Sequence, residues 1–153
     1  MRQEPVMLHG EDGFQGMRDA GALAARVLDM ITHHVVEGAT TEQLDKLCHD
    51  YILDHEAIPA PLNYKGFPKS TCISLNHVVC HGIPGAKRLQ NGDILNIDVT
   101  VILNGWYGDT SRMYWVGTPS VKAQNLTQIT YDLSLIHISS PRDRTRSRMP
   151  SSA

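Results

Sequence analysis

The chain has 153 residues, of which 41% are hydrophobic and 20% charged, a composition typical of one globular domain. Its formal net charge of −2 predicts neither a nucleic-acid nor a membrane partner. No apolar run approaches the roughly 18 residues that cross a bilayer, and the N-terminus has no apolar signal core, so we expect a cytoplasmic location. The cysteines Cys48, Cys72 and Cys80 form no C-x-x-C pair, which favours free thiols in a reducing compartment.

Two helices are predicted after an N-terminal arm of residues 1–13. Residues 14–36 repeat apolar side chains at helical spacing. Gly38 ends this pattern, and Thr40 or Thr41 can cap the second helix. The apolar stripe of the second helix consists of Leu44, Leu47, Cys48, Tyr51 and Ile52.

The centre of the chain predicts strands. Residues 58–70, rich in Pro and Gly, indicate a loop. Residues 71–85 indicate a strand, a kink at Asn76, a short strand and a turn. A third helix is expected after its cap at Ser120. The order of two helices, antiparallel strands and a helix predicts an α+β fold.

The stretch Ile94 to Ser111, ILNIDVTVILNGWYGDTS, predicts a β-hairpin. Asn104-Gly105 favours a two-residue type I′ turn, because both central positions of that turn need positive φ. Side chains alternate between the two faces of a strand, so one face of the hairpin is apolar. The other face carries Asp98, Thr100, Ile102, Tyr107, Asp109 and Ser111.

Asp98 and Asp109 become diagonal neighbours in this hairpin, with Cβ atoms roughly 7–8 Å apart or less. Two adjacent carboxylates repel unless a proton or a cation lies between them. Oxygen ligands at that spacing suit a divalent metal ion or a metal pair. Two aspartates on a hairpin are also commonly its solvated face, and spacing alone leaves both interpretations open.

Two ordered stretches, YKGFPKSTCISLNHVVCHGIPG and NGDILNIDVTVILNGWYGDTSRMYWVG, resemble type I methionine aminopeptidases over residues 14–133. The resemblance implies the N-terminal half of a pita-bread fold, an α+β fold with an antiparallel sheet and covering helices. It also implies metal-dependent removal of the initiator methionine. The implied partner is a peptide or nascent chain with Met first.

The resemblance implies roles for three site residues. Asp98 is expected to bind one metal ion through both carboxylate oxygens, and Asp109 to bridge two ions. His81, in VVCHGIP, is expected to hydrogen-bond the scissile peptide and help manage its proton. The implied cofactors are two divalent metal ions, with Co, Mn, Fe or Zn all compatible with these ligands.

Other positions match pocket residues of that family. Tyr64, Phe67 and Cys72 are expected to line the pocket for the methionine side chain, where a soft apolar wall suits a thioether. The backbone carbonyls of Asn76 and Val78 are candidate ligands of a monovalent cation.

The family's remaining metal ligands, one histidine and two glutamates, lie in a second half that has no counterpart here. With two ligands instead of five, we expect metal ions to bind poorly and the chain to be inactive by itself. A full-length relative is expected to be a monomer. The Ser/Arg-rich residues 134–153 resemble cloning sequence, and we expect them to be foreign to the gene or disordered.

Two other functions fit the same fold, namely a non-catalytic binding module and another peptidase such as an X-Pro dipeptidase. Retention of Asp98, Asp109 and His81 disfavours the binding module, as does the absence of a basic patch in the body of the chain. The early His81 motif and the compact N-terminus favour methionine aminopeptidase over the dipeptidase.

Overall fold

The computed structural model describes the backbone of residues 7–139 and the side chains of residues 7–135. The chain divides after Thr118 into two compact units, which are described separately. The second unit contains α3, Val121–Ser139. The elements of the first unit are α1 (Glu11–Ile31), α2 (Thr41–Asp54), β1 (Ile58–Pro59), β2 (Cys72–Leu75), β3 (Ile94–Leu103) and β4 (Trp106–Trp115).

The four strands form one antiparallel sheet around β3. β4 pairs with β3 along its whole length. β2 pairs with residues 95–98 of β3, and β1 pairs with residues 101–102 further along the same strand. The predicted α+β class is confirmed, and the antiparallel ladder determines which side chains share a face.

The core lies between one face of this sheet and the helices α1 and α2. The alternate residues Leu95, Ile97, Val99 and Val101 of β3 are fully buried. The helices contribute Leu23, Val27, Leu28, Ile31, Leu44, Cys48 and Ile52. Burying a large aliphatic side chain stabilises the fold by roughly 1.5–3 kcal/mol, so this layer holds the sheet against the helices and leaves its opposite face to other uses.

The second helix begins where the sequence predicts. The Thr40 side chain accepts a hydrogen bond from the Gln43 amide at 3.1 Å, and the Gln43 side chain accepts one from the Thr40 amide at 2.8 Å. This reciprocal pair is a capping box, and it satisfies two amides that the first helical turn leaves free.

The first helix differs from its predicted bounds at both ends. It begins at Glu11, inside the predicted arm, and ends at Ile31, followed by a 3₁₀ turn at Thr32–His34. Gly13 obscured its start, because it interrupts the apolar period. Gly13 and Gly16 are required by packing, since a Cβ at Gly16 would lie 2.3 Å from a ring carbon of Trp106.

The predicted short strand after Asn76 is wrong. Residues 77–85 contain no strand in the described structure. The chain turns instead at Asn76, whose φ is +53°, and hydrogen-bonds irregularly to β2 through Gly82. The predicted loop at residues 58–70 also contains the two-residue strand β1, which pairs with β3 in spite of its proline.

The third helix starts at its predicted cap. The Ser120 side chain accepts a hydrogen bond from the Ala123 amide at 3.3 Å. The helix continues through Ser139, six residues past the predicted boundary at 133. The rest of the predicted tail, residues 140–153, lies outside the described residues. No helix of the described part is long and apolar enough to span a bilayer.

Candidate metal and catalytic site

The hairpin has the predicted register. Leu103 pairs with Trp106, and Thr100 lies opposite Asp109. The turn residues Asn104 and Gly105 have φ values of +51° and +83°, the left-handed conformation that a type I′ turn requires. The pairing places the two aspartates in neighbouring rows on the sheet face that points away from α1 and α2.

The electrostatic environment of Asp98 suits a cation. Its pKa is raised above the ordinary value, first by burial and then by the negative charge of Asp109. His81 acts in the opposite direction and lowers the pKa of Asp98. Since a carboxylate pair of this kind is relieved by a proton or a positive ion, the donor set fits a divalent metal ion.

Asp109 is exposed and is oriented by its cross-strand neighbour. The Thr100 hydroxyl donates a hydrogen bond to Asp109 Oδ1 at 3.1 Å. The other carboxylate oxygen is thus left for a further ligand on the same face. The predicted hairpin placed Thr100 on this face, but its bond to Asp109 emerged only from the structure.

Cys72 lies directly beside Asp98, because the two residues are opposite each other in the β2–β3 pairing. Its side chain is buried, with 8% exposed. Burial, followed by the nearby charge of Asp98, raises the pKa of the Cys72 thiol to about 11. The thiol is therefore neutral at pH 7 and behaves as a small apolar surface next to the carboxylates.

The segment carrying His81 is attached to β2. The Ile73 amide donates to the Gly82 carbonyl at 2.9 Å, and the Gly82 amide donates to Ser74 Oγ at 3.1 Å. A Cβ at Gly82 would lie 2.2 Å from the Ile73 carbonyl oxygen, so only glycine permits this approach. His81 has a φ of +53° and an exposed side chain.

The start of β2 is anchored by a residue that the sequence analysis did not single out. Oδ1 of the buried Asp45 accepts hydrogen bonds from the Ser70 amide at 3.0 Å, the Thr71 amide at 2.8 Å and the Thr71 hydroxyl at 2.8 Å. These bonds position the residue that precedes Cys72. The available signal was an acidic residue between Leu44 and Cys48, on the buried side of α2.

The loop carrying Tyr64 and Phe67 is closed by its own backbone. The Asn63 amide donates to the Phe67 carbonyl at 2.8 Å, and the Tyr64 amide donates to the Pro61 carbonyl at 3.0 Å. Tyr64 is 64% exposed and Phe67 is partly buried. The loop joins β1 to β2, and the pocket role of the two rings stays a prediction.

The side chain of Asn76 holds the turn after β2. It donates to Asp93 Oδ1 at 2.8 Å and accepts from the Ile94 amide at 3.1 Å. The Val78 amide donates to the Leu75 carbonyl at 3.1 Å. The role of the Asn76 and Val78 carbonyls as ligands of a monovalent cation stays a prediction.

In the described part of the chain, the candidate metal site has two carboxylate ligands, Asp98 and Asp109, and no third ligand beside them. Among residues 7–135, whose side chains are described, no three His, Cys, Asp or Glu side chains converge as a metal site. A groove of about 430 Å³ lies away from the aspartates, among residues that include His33, His34, Leu44 and Leu47. The candidate site is therefore an open sheet face.

The antiparallel sheet, its helical cover and the carboxylate-bearing hairpin define half of a pita-bread fold. Residues 15–146 match the model of metallopeptidase family M24, and the chain belongs to this family of metal-dependent peptidases. The resemblance to methionine aminopeptidases is also confirmed. The chain is 64% identical over 127 residues to the methionine aminopeptidase of Rickettsia prowazekii, covering 83% of this chain and 49% of that protein.

Other relatives give the same result. The methionine aminopeptidase of Escherichia coli K12 is 52% identical over 129 residues, again covering 83% of this chain and 49% of that protein. The crystal structure of the Rickettsia prowazekii enzyme superposes with a TM-score of 0.83 at 62% identity, covering 86% of this chain and 53% of that one. The prolidase of Pyrococcus horikoshii shares the fold, with a TM-score of 0.71 at 18% identity over 86% of this chain and 36% of that one. This chain thus spans about half the length of the curated relatives it matches.

Proposed function

We propose that this chain provides one side of the active site of a methionine aminopeptidase, which removes the initiator methionine from nascent proteins. The observation that carries the proposal is the pair Asp98 and Asp109, in neighbouring rows on the open face of the sheet. The 64% identity to a methionine aminopeptidase supports that activity over others of the fold. The proposed substrate is a peptide or nascent chain that begins with Met.

Asp98 and Asp109 are the proposed metal ligands. Asp98 would hold one divalent ion through both carboxylate oxygens, and Asp109 would bridge two, with Co, Mn, Fe and Zn as candidate ions. In such a centre, bound divalent ions lower the pKa of a water molecule and polarise the peptide carbonyl. Asp109 presents its free oxygen while Oδ1 stays bonded to Thr100.

His81 and Cys72 are the proposed substrate-binding residues next to the metal ligands, and Cys72 lies opposite Asp98 in the β2–β3 pairing. The exposed imidazole of His81 would hydrogen-bond the scissile peptide and help to transfer its proton. The neutral thiol of Cys72, together with Tyr64 and Phe67, would form an apolar wall against the methionine side chain. A bound methionine would cover the carboxylates on the side of Cys72.

A chimera tests this proposal. Residues 1–133 would be joined to the second half of the Rickettsia prowazekii enzyme. From the family resemblance, we expect that half to contain the remaining His and Glu ligands. We expect the chimera, supplied with Mn²⁺ or Co²⁺, to release methionine from a Met-Ala-Ser peptide. D98A and D109A should each lower kcat by at least about 10²-fold, because each removes an oxygen ligand.

The matched control is S111A, which alters an uncharged residue opposite Asp98 and should retain activity. A folded, metal-loaded chimera that releases no methionine would contradict the proposal. Cleavage of X-Pro dipeptides in preference to Met-Ala-Ser would favour the second candidate, an X-Pro dipeptidase, which the prolidase-like fold keeps under consideration.

The proposed setting is the cytoplasm. Cys48, Cys72 and Cys80 are all free thiols, the form that a reducing compartment maintains. Nascent chains with an N-terminal Met are available there. The full-length protein is proposed to act as a monomer.

A further inference from the structure

Ser74 has an unusual partner for a buried strand residue. It lies on the same side of β2 as Cys72 and is 4% exposed. Its hydroxyl accepts a hydrogen bond from the Gly82 amide at 3.1 Å rather than from its own sheet. The bond therefore crosses from β2 to the residue immediately after His81.

The backbone at His81 needs such a restraint. Its φ of +53° is a left-handed conformation that costs free energy for any residue with a Cβ. Unlike the nearby Asn76, whose side chain is bonded to Asp93, His81 has no local bond from its own side chain among the hydrogen bonds of the described residues. The following residue, Gly82, is held through both its amide and its carbonyl.

The two restraints on Gly82 are not equivalent. The Gly82 carbonyl accepts its hydrogen bond from the backbone amide of Ile73. Only a substitution of Ile73 by proline would remove that amide. The Gly82 amide is bound by a side chain, so its restraint depends on the identity of residue 74. β2 is itself in register with β3, where Cys72 lies opposite Asp98. The bond from Gly82 to Ser74 thus connects the position of His81 with that of the carboxylates.

We propose that Ser74 is a positioning residue for His81: its hydroxyl holds the Gly82 amide and thereby keeps the His81 backbone left-handed. The meaning of this restraint for catalysis rests on the role proposed above for His81.

The test compares S74A with S70A in the 153-residue chain. Ser70 is a matched control, because it is 2% exposed, precedes the same strand and uses its hydroxyl in a 2.7 Å bond to His49. Both substitutions remove one buried side-chain hydrogen bond. Only S74A removes the acceptor of the Gly82 amide.

Two measurements by NMR follow the restraint directly. In S74A, we expect the Gly82 amide proton to exchange with solvent at least about tenfold faster. Without its acceptor, the amide can be exposed by a local movement of the segment and no longer requires β2 to open. The three-bond coupling between the amide and α protons of His81 should change from its left-handed value to an averaged one. In S70A, both quantities should equal those of the wild type.

The opposite results overturn the proposal. Unchanged Gly82 exchange and His81 coupling in S74A would do so, as would an equal change in S70A, which would indicate general loss of stability. S74T, which keeps the acceptor oxygen, provides a test even if S74A does not fold. Its Gly82 amide should remain protected, and fast exchange there would overturn the proposal as well.

Addition of Mn²⁺ separates this inference from the proposed function. We expect Mn²⁺ to broaden the imidazole protons of His81 in the wild type and to broaden them less in S74A, where the ring is no longer held near Asp98. Since the chain by itself is expected to bind Mn²⁺ weakly, Mn²⁺ is added in excess, and absence of broadening in the wild type even then would contradict the proposed metal site. The exchange and coupling data would then still decide whether Ser74 positions His81.

Discussion

Asp98 occupies a position that penalises its charge. It is half-buried, and Asp109 lies in the adjacent row of the same sheet face. A side chain selected for stability alone would be neutral here, because like charges at this spacing repel. The cost is understandable if a cation normally lies between the two carboxylates.

D98N should stabilise the metal-free chain at neutral pH. The raised pKa of Asp98 means that the folded chain binds a proton more readily than the unfolded chain does. The wild type therefore gains stability as the pH falls through the raised pKa of Asp98. The advantage of D98N should be complete above that pKa and vanish below the ordinary value of 3.8.

Urea unfolding in EDTA between pH 3 and 8 measures this difference. S111A is the control, since it changes the residue opposite Asp98 without removing a charge or adding a hydrogen-bond donor, and its effect should not depend on pH. A D98N variant that is less stable than the wild type at pH 7 would show that Asp98 is favourably paired without metal.

Asp45 has a structural role instead, because one of its carboxylate oxygens accepts three hydrogen bonds from Ser70 and Thr71. D45A would leave the Ser70 and Thr71 amides buried without an acceptor, at about 1–3 kcal/mol for each unsatisfied group. We expect an overall loss of about 3 kcal/mol in the free energy of unfolding. D50A is the control, as its ion pair with Lys46 is 48% exposed on the aspartate side and should contribute less than about 1 kcal/mol. Equal losses in the two variants would refute the anchoring role of Asp45.

At the level of elements, the hairpin and α1 approach each other through glycines. A Cβ at Gly108 of β4 would lie 2.1 Å from the Ala20 carbonyl oxygen of α1. At the turn end of β4, Trp106 covers Gly16, where a Cβ would lie 2.3 Å from the ring. This close packing holds the apolar face of the hairpin against α1 and directs its aspartates outward.

G108A should therefore destabilise the chain by about 2–3 kcal/mol, because backbone atoms of α1 would have to move. G21A is the matched control. Gly21 lies in α1, next to the Ala20 carbonyl that Gly108 approaches, but a Cβ at Gly21 meets nothing within 4 Å. It should stabilise the chain by up to about 1 kcal/mol through higher helix propensity. Thermal unfolding of the two variants measures both effects. A stability of G108A within 0.5 kcal/mol of the wild type, taken as roughly the usual range for surface substitutions, would contradict this packing.

At the level of the whole molecule, the chain belongs to a family of metallopeptidases yet spans about half the length of the relatives it matches. Its described residues bring two carboxylates together rather than three or more ligands. Catalytic metal sites typically use three protein ligands for each ion. We therefore expect the chain by itself to bind Mn²⁺ weakly.

The purified 153-residue chain should release no methionine from a Met-Ala-Ser peptide above a blank that contains the metal alone. Chromatography of free methionine measures this, with the chimera as the positive control. Release of methionine by the wild-type chain, and its loss in D98N, would show that two ligands suffice.

Local patterns allowed several elements to be predicted. The Asn104-Gly105 turn and the period-two alternation were sufficient for the hairpin register, because a two-residue turn leaves only one pairing. The cap of α2 was predicted as Thr40 or Thr41 and the cap of α3 as Ser120, since a cap depends on residues close in sequence, and the structure identifies Thr40 and adds its capping box with Gln43. The placement of Asp98 and Asp109 on one face follows from the same local rule.

Long-range contacts required the tertiary structure. The start of α1 was obscured by Gly13, whose missing Cβ is explained by the packing of Trp106, some 90 residues later. The segment after Asn76 has the composition of a strand, yet its polar groups bond to Ser74 and Ile73 through Gly82. Neither contact has a periodic signal, because each joins single residues rather than a repeating row: Gly13 and Trp106 are far apart in the chain, and Ser74 and Gly82 are eight positions apart across an irregular turn. The sequence was thus enough to place two carboxylates on one side of a hairpin, whereas only the packed chain shows how Cys72, Ser74 and His81 are held around them.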